Sequence, residues 1–267
     1  MADNRSHSST SRRSFLLGVT STGAGLVAAA GLAGLPELAA VAAADTEDAA
    51  PTKGDRDILI AAEIAEALAV TTYTHIIRTA PFFRRLASDD QGYLRAARQE
   101  EMSHYQLERS LTGSPSPYTT FYYPRGMFTN ARMTLNTLVT LEDAFIAAYL
   151  VGVRNFSSPA LRVAAARIMG IESDHRTLAR VLAPGVARAD GGPIEQVVGI
   201  NGAGESVDPP NNNGYERTLG WTGINQAVGA LLPFVDRNAA ARAGFDTARS
   251  YVFRPFTPRL PSPLGHF

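Results

Sequence analysis

The chain has no cysteine among its 267 residues. Disulfides, thiolate metal sites and thiol nucleophiles are therefore excluded, and any metal site must be built from His, Asp and Glu. Such a donor set favours iron, manganese or zinc held without thiolate. An excess of either charge sign is also missing: 25 Lys+Arg balance 25 Asp+Glu, for a formal net charge of zero. No bulk field draws the protein to nucleic acid or to an anionic membrane surface, so neither is expected as a partner. Histidine occurs only five times, which makes the neighbours of each one informative.

What is present starts with an address. Ser11-Arg12-Arg13-Ser14-Phe15-Leu16-Leu17 precedes a Gly/Ala/Leu/Val run to about Val41 and then Ala42-Ala43-Ala44. Adjacent arginines, a weakly apolar segment and an A-x-A-like site resemble a twin-arginine signal peptide over residues 1–44, with Leu17 standing where such signals often have Lys. The expectation is export to a periplasmic or extracellular location, with no stable membrane contact once the signal is cleaved. An uncleaved anchor is the open alternative, because the run is long enough to span a bilayer. Residues 45–56, rich in Ala, Pro, Thr and charge, read as a linker.

Four long helical segments follow. Asp57 is a candidate N-cap for a helix to Thr79, stopped by Pro81. A second runs from Ser88, read as its cap, to Leu111, closed by Gly113 and Pro115. A third covers about Asn130 to Arg154. The fourth is opened by Ser158 and Pro159 and runs to Leu182 before Pro184-Gly185. Between the second and third lies a crossover dense in Pro, Ser and Tyr.

Each helix carries acid on its apolar stripe. Glu66 shares a face with Ala62, Val70, Tyr73 and Ile77; Glu142 shares one with Leu138, Phe145, Ile146 and Tyr149. The second helix reads Leu94, Ala97, Glu101, His104, Glu108, Leu111 inward, and the fourth places Glu172 and His175 among Leu161, Ala165, Ile168, Leu178 and Leu182. Residues at i and i+3 share a helical face, so each Glu-x-x-His pair points one way. A buried carboxylate beside a buried imidazole is costly unless partnered. A given His has about a one-in-twenty chance of a Glu three residues earlier, yet two of the three helical histidines, His75, His104 and His175, satisfy the motif. The halves also repeat: Glu66 to Tyr73 matches Glu142 to Tyr149, and each half continues into its own Glu-x-x-His helix.

On these motifs the segment 57–182 resembles the ferritin-like domain, and more narrowly the exported bacterial ferritin-like proteins with a twin-arginine leader. The implied fold is all-α, a ferritin-like four-helix bundle with one crossover connection. That family's ligand set is one Glu from each of two helices and Glu-x-x-His from each of the other two. Carried onto this chain, it implies two iron or manganese ions bridged by Glu101 and Glu172. His104 and His175 would each bind one ion, with Glu66 and Glu142 as terminal carboxylates. Glu63, one turn from Glu66 on the same face, competes for that position. Glu100, Asp143 and Asp174 read as solvated or outer residues, His75 as a packing or surface histidine, and Tyr73 and Tyr149 as packing residues that also lie within reach of ligands.

Residues 183–267 form a loop-rich C-terminal extension. Gly, Pro and Asn fill 183–219, then Trp221 to about Val252 reads as one helix kinked at Pro233 or as two, and a Pro-rich tail follows. The helical part is expected to pack on the bundle or form a homo-oligomer contact. Three functions stay open: a non-haem oxidoreductase that oxidises ferrous iron or consumes peroxide, a metal-stabilised structural or stress-associated protein, and a bundle whose extension acts through a partner. No individual catalytic residue is assigned.

Overall fold

Local capping and apolar periodicity lay down four long helices. In the computed structural model, residues 51–189, 196–198, 204–206 and 219–259 are described. The expected signal at 1–44 and the first residues of the expected linker lie outside them. Helix α1, Lys53–Thr79, starts four residues before the expected Asp57, because Thr52 and Asp55 form a capping box. The end of the expected linker is thus helical. Asp55 also accepts from the Ser157 backbone N–H at 2.8 Å and from the Ser157 hydroxyl, which ties the start of α1 to the turn between the last two bundle helices.

Helix α2 spans Ser88–Thr112 and ends on Gly113, which adopts φ 72°, a left-handed conformation that glycine takes without penalty. Ser88 is its first residue and not its cap, since Ala87 holds that position with no side-chain bond; Asp89 and Asp90 in the first turn complement the helix dipole instead. Helix α3, Ala131–Asn155, is capped by Asn130, whose side chain accepts from Met133 N–H at 2.9 Å. Helix α4, Pro159–Ala189, follows Ser158, whose hydroxyl accepts from Leu161 N–H at 3.5 Å. It passes Pro184 and Gly185, where a stop was expected. A proline removes one helical hydrogen bond and bends a helix without having to end it.

Helices α1 and α2 pack as one hairpin and α3 and α4 as another, with α1 against α3 and α2 against α4 closing the bundle. The second hairpin is tight. A Cβ added at Gly152 would come within 2.8 Å of the Phe156 ring and 3.3 Å of Ala165. Helix α3 is long and apolar enough to cross a membrane by composition, but most of it is buried inside the bundle.

The crossover carries a strand, β1, Thr120–Pro124. After a short antiparallel pair, β2 Gln196–Val198 and β3 Gly204–Ser206, come the two further helices, α5 Ile224–Val235 and α6 Arg237–Arg242. Helicity stops there, short of Val252: Gly244 turns at φ 74°, and Phe245–Val252 form strand β4, antiparallel to β1 with a register shift between Phe121 and Tyr123. Phe121 and Tyr123 are buried, and the Tyr123 and Thr72 hydroxyls share a 3.0 Å hydrogen bond that anchors the strand to α1.

Two apolar clusters result. One gathers Leu68, Tyr73, Leu94, Leu135 and Phe145 of the bundle with Phe121 of β1, Leu231 and Phe234 of α5 and Phe253. The other, toward the opposite end of the helices, holds Ile58, Leu107, Phe156, Leu161 and Ile168. On α4 the Glu172 and His175 positions fall between Ile168 of the second cluster and Ala179 of the first. The extension therefore contributes to the bundle's own core. Phe234→Ala should lower the unfolding free energy by about 3 kcal/mol, whereas Tyr93→Ala, at an exposed site, should change it by less than about 0.5 kcal/mol; paired chemical denaturation curves measure both.

Candidate metal centre

Six side chains from four helices converge. Glu101, Glu142 and Glu172 are 0% exposed, Glu66 1%, His175 3% and His104 5%. They form two groups, Glu66, Glu101, His104, Glu172 and Glu101, Glu142, Glu172, His175, each with donor atoms within 4.8 Å of one another and each able to hold a metal ion. Glu101 and Glu172 belong to both. Each of these two carboxylates turns one oxygen to each imidazole. Glu101 Oε1 lies 3.0 Å from His175 Nδ1 and Oε2 3.4 Å from His104 Nδ1. Glu172 Oε1 lies 3.1 Å from His104 Nδ1 and Oε2 3.4 Å from His175 Nδ1.

These contacts are close but not aligned as hydrogen bonds. Glu66 Oε2, both oxygens of Glu101, His104 Nδ1, Glu142 Oε2, both oxygens of Glu172 and His175 Nδ1 are all buried without a hydrogen-bond partner. An orphaned buried polar atom is rare because it forfeits its hydration. Here these atoms of the six residues face one another. Cations placed among them would satisfy the whole set, so the residues present fit a metal.

The other atoms of these side chains are already held. Tyr73 donates to Glu142 Oε1 at 2.8 Å, and the Tyr149 hydroxyl bonds both Glu66 Oε1 and Glu108 Oε1, its one proton serving one of them while the other carboxyl, held protonated by burial, donates to the phenol oxygen. Each tyrosine thus serves the carboxylate of the opposite half, where packing was the simpler expectation. His175 Nε2 sits 2.9 Å from Glu100 Oε2. With the proton on Nε2 and donated to Glu100, the Nδ1 lone pair is left to face the carboxylates. Asp143 is not solvated; it is buried and accepts from Arg176 Nη1 at 2.8 Å, locking α3 to α4 one residue beyond Glu142 and His175. Asp174 is exposed, as read.

Glu63 lies outside both groups. Its Oε2 accepts from the Thr112 hydroxyl at 3.1 Å. Glu108, buried and bonded to Tyr149, has no role assigned from sequence, although its place on the inward stripe one turn past His104 was the available signal. Arg176 and Arg180, each 1% exposed, escaped notice because arginine on a helix normally reads as surface. His75 packs against Tyr251 and Phe128 rings, 4.7 and 5.4 Å between centroids. A cleft of about 410 Å³ whose lining includes the carboxylates Asp90, Glu100 and Asp174 beside His175, together with Tyr93, Ile171 and Leu178, gives the centre a solvent-facing wall.

The metal-free electrostatics are those of a cluster that retains protons. Burial pushes Glu66 well up, and the Glu101 and Glu172 carboxylates push it further against the pull of His104. Glu142 is raised by burial and by the same two carboxylates. Burial lowers both imidazoles, but their carboxylate neighbours outweigh it: Glu66, Glu101 and Glu172 hold His104 high, and Glu101 with Glu100 and Glu172 hold His175 high. Burial alone would raise Glu101, yet His175 and then His104 bring it down. Metal binding would displace these protons.

Among known families, residues 54–184 match the ferritin-like domain. No curated protein matches the chain.

Glu63 supplies a pH test beside the cluster. Burial raises its carboxyl to about 7 against the opposing pull of Thr112 and Arg109. A carboxyl raised in the folded state binds more protons there than unfolded. Its contribution is therefore complete below the unfolded value of 4.5 and is lost as pH climbs through about 7. Glu63→Gln should match the wild type at pH 4 and exceed it at pH 8, by about 1–3 kcal/mol. Urea midpoints of both proteins at the two pH values measure this difference, and a gain at pH 4 alone would contradict it.

Proposed function

We propose, taking the ferritin-like domain of residues 54–184 as the premise, that the protein holds a carboxylate-bridged pair of iron or manganese ions and uses it to oxidise ferrous iron with peroxide or dioxygen. The observation that carries this reading is the set of orphaned buried atoms on Glu66, Glu101, His104, Glu142, Glu172 and His175. Glu101 and Glu172 would bridge, His104 and His175 would each serve one ion, and Glu66 and Glu142 would close the ends. An all-oxygen and nitrogen donor set suits either metal. What such a pair supplies is two one-electron changes: two ferrous ions release two electrons, which with two protons reduce one hydrogen peroxide to two waters.

The chain's own residues set the conditions for that chemistry. Tyr73 and Tyr149 fix the outer carboxylates from across the bundle, leaving one free oxygen on each. Glu100 orients the His175 ring from the cleft side. The apolar clusters exclude bulk water, and the acidic cleft at His175 draws cations toward the centre. Arg12-Arg13, the apolar run and Ala42-Ala43-Ala44 support export through the twin-arginine route. A second reading, a metal that only stabilises the fold, draws on the near-complete burial of the ligands.

Elemental analysis of the purified protein should give about two iron or manganese per chain. His175→Ala should lower metal content and Tm together; a metal-free protein that resists reconstitution would overturn the centre. Ferrous oxidation by the loaded protein above the rate of free metal supports the oxidase, and its absence leaves the stabilising metal.

A further inference from the structure

A second polar cavity lies apart from the carboxylate centre, between the α1–α2 hairpin and the C-terminal tail. It is a cleft of about 500 Å³ whose lining includes Arg78, Arg98, Arg254 and Arg259 with His75, and among the described residues includes no carboxylate. Such a concentration of one sign is not a consequence of composition, since the whole chain is neutral. Among the described residues, none of the four arginines forms an ion pair. Arg98 Nε is buried without a hydrogen-bond partner, and its guanidinium lies over the Phe256 ring, 4.8 Å from the centroid. Burial together with the charges of Arg78 and Arg95 draws Arg98 below its usual range. His75 is lowered by burial and Arg78, so it offers a neutral imidazole near pH 7.

The tail that supplies two of these arginines is fastened in place. Phe253 is buried against Tyr105 and its N–H bonds Thr119 O at 2.8 Å. Gln106 Nε2 donates to Phe256 O at 3.2 Å, and Arg259 N–H donates to Gln99 Oε1 at 2.8 Å. Three anchors in seven residues hold Arg254 and Arg259 beside Arg78 and Arg98, and among the described residues no salt bridge neutralises these like charges. Guanidinium forks bind phosphate and carboxylate oxygens in pairs, and the cleft has the volume of a small-molecule site. We propose that this cleft binds a small organic oxyanion carrying two or more negative charges, seated between Arg78 and Arg98 of the bundle and Arg254 and Arg259 of the tail. The proposal does not rest on the metal reading.

The test is calorimetric titration of the full chain with glucose 6-phosphate and, separately, with tricarballylate, in chloride buffer. At least one should bind once per chain at concentrations up to about 10 mM, more weakly as salt rises. Arg78 and Arg254 are exposed, so Arg78→Ala and Arg254→Ala should keep the wild-type Tm. Each should weaken binding by at least about tenfold, while Arg84→Ala, outside the cleft, leaves it unchanged. Binding of the sugar phosphate alone identifies a phosphoryl ligand, and of tricarballylate alone a polycarboxylate. No binding of either probe, or binding that Arg78→Ala and Arg254→Ala do not weaken, overturns the proposal.

Discussion

Mutual repulsion of buried carboxylates is the constraint on which this structure depends. Glu66, Glu101, Glu142 and Glu172 meet in an interior from which water is excluded, where one unpaired carboxylate would already be costly. Two imidazoles offset part of that charge by holding protons. They do not satisfy the geometry, since the facing atoms stay without hydrogen bonds. A cation held among these atoms would meet both the charge and the geometry.

The support is symmetric in plan and unequal in detail. Tyr73 and Tyr149 exchange hydrogen bonds across the two halves, so each hairpin holds the other's outer carboxylate. Beyond that the halves diverge. On the Glu66 side, Tyr149 also meets Glu108, and Glu63 lies nearby, making a second tier of buried acid. On the Glu142 side, the Asp143–Arg176 pair and the Glu100–His175 contact replace that tier. One end of the centre is thus backed by carboxyls that favour their protons, and the other by an ion pair and an acidic cleft. The repeat brings together two similar groups of donor atoms, and their surroundings differ.

Much of this was legible in the residues. The four helices and the inward faces of their acidic and imidazole residues follow from apolar periodicity and i, i+3 spacing, which are local rules, whereas the six-residue set is what the resemblance to the ferritin-like domain implied. Failures came where tertiary contacts override local ones. The start of α1 is set by Thr52 and Asp55, with Asp55 also held by Ser157 from a turn about a hundred residues away. Strand β4 exists because β1 in the crossover offers it an edge, a pairing that periodicity in 221–252 cannot show. For Asp143 the solvated and outer readings could not be separated, because its partner, Arg176, lies on another helix. Tyr73 and Tyr149 could be read as packing residues or as partners of the ligands, because a hydroxyl's partner is invisible without the fold.

The claim at the centre of this account is that Glu101 and Glu172 are shared by two metal ions. Anomalous scattering from crystals of the metal-loaded protein, collected across the iron and manganese absorption edges, tests it most directly. Two peaks should appear among the six side chains, one beside His104 and one beside His175, with Glu101 and Glu172 contacting both. A single peak, or metal bound only outside this cluster, would contradict the account.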